Sequence, residues 1–202
     1  MCAQFVHAKV DTPLVIVQAI RECFKPTNTG RLLQQMVEGT VISHYGMREP
    51  PFDATALQRP DVQYYVLFPR EDAIELSVDR VAQMRAELPA DRKLGFVLLD
   101  GTWHQCSRMS RRVPVVDGLP CVSLPPGPPS RWPGRTQHDA RGLCTFEAGI
   151  RLLALTEGEP LARSLRAVFF ELAARLAYMK AALPTPTVPE DWPHDPIFQP
   201  PS

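Results

Sequence analysis

The chain has 202 residues, of which 45% are hydrophobic and 22% are charged, and its formal net charge is zero. This length suits one compact domain with a sizeable core and is too short for two large domains. A neutral chain has no overall field that attracts nucleic acid, so any RNA contact requires a local basic surface.

The sequence shows no pattern typical of a membrane protein, a metal site or a nucleotide-phosphate loop. No apolar run approaches the roughly 18 residues of a membrane span, and the N-terminus lacks a signal-peptide pattern, so we expect a cytoplasmic location. The five cysteines are scattered without any Cys-x-x-Cys pair, and the five histidines have no ligand-like spacing. We therefore predict neither a disulfide framework nor a bound metal. The Gly-x-Gly-x-x-Gly and Walker motifs are also missing.

In chain order, the first predicted element is a strand over residues 14–20, which are rich in β-branched side chains. Asn28 or Thr29 is suited to cap a following helix. The apolar residues of that helix recur at helical spacing and are Leu32, Leu33, Met36 and Val37. A short second strand is predicted over residues 40–43.

The middle of the chain continues this alternation of strands and helices. Residues 64–69 form a predicted buried strand that Pro69 ends, because proline cannot donate to the strand ladder. Ser77 is suited to cap a helix that runs to about Leu88. A further strand is predicted over residues 96–99. The alternation predicts an α/β fold with a mostly parallel sheet and helices on both faces.

The strand over residues 96–99 is an unbroken apolar run that ends in Asp100, Gly101, Thr102 and Trp103. In open α/β folds the carboxyl ends of the strands form the edge where ligands bind. We therefore expect the carboxylate of Asp100 and the indole of Trp103 at a ligand-binding edge. The structural alternative is an ordinary turn, with Trp103 packed in the core.

An arginine-rich stretch follows. A helix is predicted over residues 104–112, and its spacing places Arg108, Arg111 and Arg112 on one helical face. Residues 104–141 contain six arginines but only two acidic residues. This asymmetry is typical of a surface that contacts a phosphate backbone, although a solvated basic face is the common alternative.

Residues 121–124 form a short predicted strand, and residues 125–134 contain five prolines. The rigidity of this loop lowers the entropic cost of presenting Arg131, Trp132 and Arg135. Trp132 is suited either to stack on a base of single-stranded RNA or to cover the edge of the core. The sequence leaves both interpretations open.

The C-terminal part is predicted to be helical and then extended. Thr145 is a natural N-cap for the next helix, with Glu147 in its first turn. A long helix follows from about residue 160 to residue 183. Its apolar stripe contains Leu161, Leu165, Val168, Phe169, Leu172, Leu176 and Met179. The stripe suits a core or a dimer interface, which leaves monomer and homodimer open. We predict one domain over residues 1–183 and an extended, proline-rich tail over residues 184–202.

Four ordered motifs between about residues 15 and 155 resemble those of one family. Asp100-Gly101-Thr102-Trp103 is similar to the Asp-X-Thr-Trp signature of the DTW-domain family. The three accompanying motifs are Asn28-Thr29-Gly30-Arg31-Leu32, Leu67-Phe68-Pro69 followed by Glu71-Asp72-Ala73, and Thr145-Phe146-Glu147-Ala148. The resemblance implies a SPOUT-like, knotted α/β architecture.

The resemblance also implies an activity. Such proteins transfer the 3-amino-3-carboxypropyl group of S-adenosylmethionine to N3 of a uridine in tRNA and release methylthioadenosine. Uridine N3 must lose a proton before it attacks, so a positioned carboxylate is expected to help. Asp100 is the first candidate for a base or orienting group, and Glu147 is the second, with Trp103 beside them.

The resemblance places the cofactor among loops at the strand ends. The residues expected to contact it are Leu67, Phe68, Pro69, Leu99, Thr102, Trp103, Leu124, Arg135, Leu143, Cys144 and Thr145. Arg135, or alternatively Arg31, is expected to hold the carboxylate of the transferred group bidentately. The residues expected to contact RNA are Asn28, Arg31, Arg108, Arg111, Arg112 and Arg131. Two other functions remain open: an RNA methyltransferase on the same scaffold, and a non-catalytic RNA-binding module.

Overall fold

The computed structural model describes residues 7–134 and 142–198 of the chain. Within them, six β-strands form one sheet. In chain order they are β1 (Leu14–Ala19), β2 (Val41–Tyr45), β3 (Val62–Leu67), β4 (Ile74–Glu75), β5 (Lys93–Asp100) and β6 (Cys121–Ser123). The α-helices of the described residues are α1 (Thr29–Met36), α2 (Val78–Glu87), α3 (Trp103–Met109), α4 (Thr145–Thr156) and α5 (Glu159–Met179).

The sheet has the order β2-β1-β5-β3-β6-β4, and every neighbouring pair is parallel. All strands therefore end at the same edge, which we call the carboxyl edge. β5 lies between β1 and β3 and is buried on both faces from residue 94 to residue 100. This position explains its unbroken apolar run, because a central parallel strand is covered on both sides.

Successive side chains of each strand enter two different cores. Leu14, Ile16, Phe96 and Leu98 point towards one face, where they pack against α1, α2 and α4, with α5 outside α4. The intervening strand residues pack on the other face against α3 and two short 3-10 helices, at Thr55–Leu57 and Val116–Gly118. The predicted α/β class, with a parallel sheet and helices on both faces, is confirmed.

Local capping explains where the helices begin. The side chains of Asn28 and Ser77 accept a hydrogen bond from the backbone of α1 and α2 respectively, as predicted. Thr102 caps α3 in a reciprocal arrangement with Gln105. For α4 the prediction was wrong by one residue: Cys144 is the N-cap, and Thr145 is the first helical residue. The hydroxyl of Thr145 points instead towards the end of β5.

Two further predictions differ from the structure. The helix predicted over residues 104–112 ends at Met109, so Arg111 and Arg112 lie in the following turn and do not share a helical face with Arg108. The segment predicted as an extended tail folds back for part of its length. It forms a 3-10 helix at Trp192–His194 and buries the side chains of Trp192 and Ile197 in the core. Apolar residues spaced among prolines give this segment enough contact area to dock.

Candidate functional site at the carboxyl edge

Three polar residues from adjacent strands lie in one row at the carboxyl edge. In the sheet register Gln18 of β1 is opposite Asp100 of β5 on one side and opposite His44 of β2 on the other. The Gln18 Nε2 donates to Asp100 Oδ2 at 2.7 Å, and its Oε1 is 3.1 Å from His44 Nε2. Gln18 and Asp100 are buried, while His44 is exposed. The row therefore runs from solvent into the interior.

The N-termini of two helices converge on the same carboxylate. The Asn28 Nδ2, at the cap of α1, donates to Asp100 Oδ2 at 2.6 Å. The hydroxyl of Thr145, in the first turn of α4, donates to Asp100 Oδ1 at 2.5 Å. A side chain at Gly30 would place its Cβ only 2.9 Å from Asp100 Oδ2, so glycine is required for this close approach. The positive ends of both helix dipoles favour the negative charge.

These contacts define what Asp100 can do. Its side chain is fully buried, and both oxygens already accept hydrogen bonds from Gln18, Asn28 or Thr145. A substrate atom would have to displace one of these donors to reach it. The geometry therefore fits an orienting role for Asp100, in which it fixes two helix N-termini relative to the sheet, better than direct contact with a substrate.

Trp103 is the exposed member of the signature. It is the first residue of α3, 44% of its surface is exposed, and its ring lies 5.2 Å from that of Phe68, which follows β3. Because β3 and β5 are neighbours, the residues after both strands meet at the carboxyl edge. An indole that remains this exposed while packed on a second ring offers an aromatic surface to a ligand.

The other residues expected to contact the cofactor are distributed around this pair. Leu67 and Leu99 are buried near the ends of β3 and β5, but they belong to the cores on opposite faces of the sheet. Pro69 is exposed, and Leu124 after β6 is half-buried. Leu143, just before α4, is also half-buried. Arg135 lies outside the described residues.

Glu147 has a structural role in this arrangement. It is buried in the first turn of α4, where it accepts hydrogen bonds from the backbone N–H of Arg131 at 2.9 Å and of Cys144 at 3.2 Å. The hydroxyl of Ser130 also donates to Glu147, at Oε2, the oxygen that accepts from Cys144. These bonds hold the proline-rich loop, residues 125–134, against α4. Burial raises the pKa of the Cys144 thiol well above its usual value, so Cys144 remains protonated.

The predicted RNA-contacting arginines fall into two groups. Arg31, Arg108, Arg111 and Arg112 are exposed. Arg131 is instead engaged within the protein, because it pairs with Asp195 at 2.9 Å and with Asp191 at 3.4 Å. The structure also decides between the two interpretations of Trp132, stacking on a base or covering the core. Its ring is buried and lies 5.7 Å from that of Phe169, so it covers the core rather than offering a face to a base.

The structure adds residues that the sequence analysis missed. Gln18 is the single polar residue in the apolar run 14–20, and it lies two positions after Ile16, on the same face of the strand. A polar residue inside an otherwise apolar strand was the feature of the sequence that could have indicated its role. Arg70, after β3, donates to the backbone oxygen of Ser110 at 3.2 Å and pairs with Asp72, so it joins the end of β3 to the end of α3. Only the fold brings those two segments together.

The family model of the DTW domain matches residues 1–177. The chain belongs to the DTW-domain family. The resemblance seen in the four motifs is thereby confirmed, and the family is consistent with a tRNA-modifying role. No solved structure gives a significant match to this DTW-domain protein.

Two other features are absent from the residues that the structure describes. These residues contain no helix with the length and apolar composition needed to cross a membrane. They also contain no cluster of three or more histidine, cysteine, aspartate or glutamate side chains arranged to hold a metal ion.

Proposed function

We propose that this DTW-domain protein transfers the 3-amino-3-carboxypropyl group of S-adenosylmethionine to N3 of a uridine in tRNA. The N3–Cγ bond forms as the Cγ–S bond breaks, the N3 proton passes to solvent or a base, and methylthioadenosine leaves. Membership of the family over residues 1–177 is the observation that carries this proposal.

The residues at the carboxyl edge fit a bound sulfonium compound. Trp103 and Phe68 form an aromatic surface that is open to solvent on the Trp103 side. A cation is attracted to the face of an indole, by about 0.5–1 kcal/mol at exposed sites. Leu124, after β6, and Leu143, before α4, are half-buried and can cover apolar parts of the cofactor. S-Adenosylmethionine supplies an electrophilic carbon when it is bound.

The chain's own residues orient this surface. Asp100 ties the start of α1 and the start of α4 to the sheet through Asn28 and Thr145, so the loops that lead into both helices are fixed. Fixed loops reduce the entropy lost when two reactants are held in line. Cys144 stays a protonated thiol because burial raises its pKa, so it does not compete with uridine as a nucleophile.

The proposed tRNA contact uses the arginines beside α3. Arg108, Arg111 and Arg112 are exposed at and beyond the end of a helix that begins with Trp103. α3 has seven residues, or about 10 Å of length at 1.5 Å per residue. Phosphate contacts at these arginines would therefore lie within about one helix length of the aromatic surface. We further propose, from the family resemblance, a SPOUT-like knotted path and a cytoplasmic location.

The test is incubation of the purified protein with S-adenosylmethionine and unmodified tRNA, followed by mass spectrometry of nucleosides and of the spent cofactor. Aminocarboxypropyl-uridine together with methylthioadenosine supports the proposal. A methylated nucleoside with S-adenosylhomocysteine would identify a methyltransferase instead. Absence of cofactor binding by calorimetry at millimolar concentration would favour a non-catalytic RNA-binding module.

Trp103→Ala provides the site-specific test. We expect it to weaken cofactor binding roughly tenfold, because it removes the exposed half of the aromatic surface. Tyr178→Ala is the matched control, since Tyr178 is also about half exposed (48%) but lies near the end of α5. Equal cofactor affinity in both variants and the wild type would contradict the assignment of this surface.

A further inference from the structure

A polar pocket lies between α4, α5, the proline-rich loop and the C-terminal segment. Its lining includes Arg131, Arg151 and Arg166, the carboxylates of Glu147 and Asp195, and apolar residues such as Phe170. The open volume is about 30 Å³. One water needs about 10–15 Å³, so the pocket accepts a group of a few atoms and excludes a nucleoside.

The two carboxylates of the pocket are already committed to partners. Asp195 pairs with Arg131 through both of its oxygens, at 2.9 and 3.2 Å. Glu147 accepts from the backbone of Arg131 and Cys144 and from the hydroxyl of Ser130. Neither carboxylate forms an ion pair with Arg151 or Arg166. The pocket lining thus has three guanidinium groups and two carboxylates, which leaves one excess positive charge.

Arg151 is the unusual member of this set. Only 9% of its surface is exposed, and it forms no ion pair with any residue that the structure describes. One Nη donates to the backbone oxygen of Pro128. A Cβ at Gly127 would come within 2.3 Å of the other Nη, so the loop is shaped around this guanidinium. Burial lowers the pKa of Arg151, and the opposing effect of the nearby Glu147 carboxylate is smaller.

Arg166 approaches the same pocket from α5. It is half-buried, stacks over the ring of Phe170 at 5.6 Å and donates to the backbone oxygen of Asp195 at 2.8 Å. Burial lowers its pKa as well, and no carboxylate of the described part of the chain pairs with it. Two guanidinium groups thus line one pocket, and each is held by a backbone oxygen and keeps further N–H donors. Such donors are the usual partners of a phosphate group.

We propose that the pocket formed by Arg151 and Arg166 binds a phosphate group. The single excess positive charge suits one phosphate of a nucleic-acid backbone, and the same donors suit free inorganic phosphate. The pocket is distinct from the aromatic surface of Trp103 and Phe68, because its two arginines without an ion pair among the described residues, Arg151 and Arg166, come from α4 and α5 and not from strand ends. The proposal goes beyond the proposed transfer reaction and requires no cofactor.

The first arm of the test uses inorganic phosphate alone. Thermal unfolding is followed with increasing phosphate against chloride at matched ionic strength, for the wild type, Arg166→Gln and the control Arg175→Gln. Arg175 is also in α5, but it is partly exposed and pairs with Glu171 at 3.3 Å. We expect phosphate to raise the unfolding temperature of the wild type and the control, but not that of Arg166→Gln. Equal responses of all three proteins would overturn the proposal.

The second arm separates the two sources of phosphate. Binding of unmodified tRNA is measured at several salt concentrations for the same three proteins. If the ligand is an RNA phosphate, Arg166→Gln lowers the affinity about tenfold and the salt slope by about one, while the control does neither. If only the phosphate response is lost, the pocket serves free phosphate and the proposed tRNA function is untouched.

Folding of the variants must be controlled. Should Arg166→Gln fail to fold, Arg166→Lys replaces it, because lysine keeps the charge but loses the planar pair of donors. Arg166→Lys is expected to weaken the phosphate response several-fold without abolishing it. A full response in this variant would show that charge alone is sufficient and would overturn the two-guanidinium geometry.

Discussion

Asp100 shows how one buried carboxylate can organise an entire site. Moving a lone ion into a protein interior costs several kcal/mol even after relaxation. Here the charge is offset by donors from Gln18, Asn28 and Thr145 and by the N-terminal ends of α1 and α4. Each donor comes from a different element, so the carboxylate links a strand to two helices. These contacts explain why a carboxylate is buried at position 100, and the explanation does not require Asp100 to transfer a proton.

The contact between Thr145 and Asp100 can be tested by an isosteric pair of variants. Thr145→Val removes the donor to Asp100 Oδ1 but keeps the shape, and we expect the free energy of unfolding to fall by about 2 kcal/mol, the usual loss for a hydrogen bond to a charged group. Thr145→Ser keeps the hydroxyl and should lose less than half as much. Urea denaturation of both variants measures the difference, and equal losses would show that the methyl group, not the hydroxyl, stabilises the site.

The buried thiol of Cys144 predicts a dependence of stability on alkaline pH. Its folded pKa is raised above the usual 9.0 by burial. As the pH rises past 9.0, the unfolded chain loses this proton while the folded protein keeps it, so stability is full below that pH and falls above it. The slope approaches about 1.4 kcal/mol per pH unit for one such group.

The measurement is the free energy of unfolding between pH 8 and 10. Cys121 and Tyr64 also have pKa values raised by burial and add to the fall in the wild type. Cys144→Ser retains a capping oxygen that does not titrate in this range, so its stability should fall less steeply. Cys23→Ser, at a partly exposed position, is the control and should retain the wild-type slope. Identical slopes in both variants would refute the role of Cys144.

At the scale of elements, the contact between α1 and α4 depends on a missing side chain. A Cβ at Gly149 would lie 2.5 Å from one methyl group of Leu33, which is fully buried and has little room to move. Alanine normally favours a helix over glycine by about 1 kcal/mol. Overpacking a core typically costs about 1–3 kcal/mol, so the clash should outweigh the gain in helix propensity.

Gly149→Ala is therefore expected to destabilise the protein by about 1 kcal/mol net, measured by chemical denaturation. Gly118→Ala is the matched control, since an added Cβ there meets nothing within 4 Å. It should be neutral or slightly stabilising, because it restricts the unfolded chain. A stabilised Gly149→Ala would mean that α1 and α4 can separate without cost.

The sequence predicted the elements better than their contacts. β1, β3 and β5 were predictable because central parallel strands are apolar runs, and α1 and α2 because Asn28 and Ser77 are favourable N-caps. The start of α4 was predicted one residue late, because cysteine is an unusual cap and Thr145 a common one. Propensity favours a threonine cap, but the contact with Asp100, 45 residues away, uses its hydroxyl elsewhere.

The candidate site illustrates the same limit. Asp100, Asn28 and Thr145 were singled out by resemblance, and the fold brings all three together. Gln18 was not predicted as a site residue, because its role depends on the strand register that places it opposite Asp100. Strand order is set by long-range packing and cannot be predicted from the local sequence pattern. The prediction of a basic helical face was wrong for a local reason. α3 ends at Met109, so Arg111 and Arg112 are not in the helix with Arg108.

At the scale of the whole molecule, the C-terminal segment completes the core. The family model ends at residue 177, yet Trp192 and Ile197 are buried against residues of that domain. The ring of Trp192 lies 5.5 Å from that of Phe170 and 5.4 Å from the guanidinium of Arg131. The segment also forms one wall of the pocket that contains Arg151 and Arg166. A segment outside the shared domain thus shapes a site that the domain alone would leave open.

The C-terminal segment is expected to detach from the domain as a unit when its main anchor, Trp192, is removed. Trp192→Ala deletes a buried indole and its contacts with Phe170 and Arg131, which should weaken docking by about 3 kcal/mol. Because local segments can open without global unfolding, the change should appear as faster hydrogen exchange and proteolysis within residues 184–198, while the central strands stay protected. Trp103→Ala removes an exposed indole instead, and it should leave hydrogen exchange unchanged both in residues 184–198 and in the central strands. Uniformly faster exchange across β1 and β5 in Trp192→Ala would instead show that the segment and the sheet unfold together.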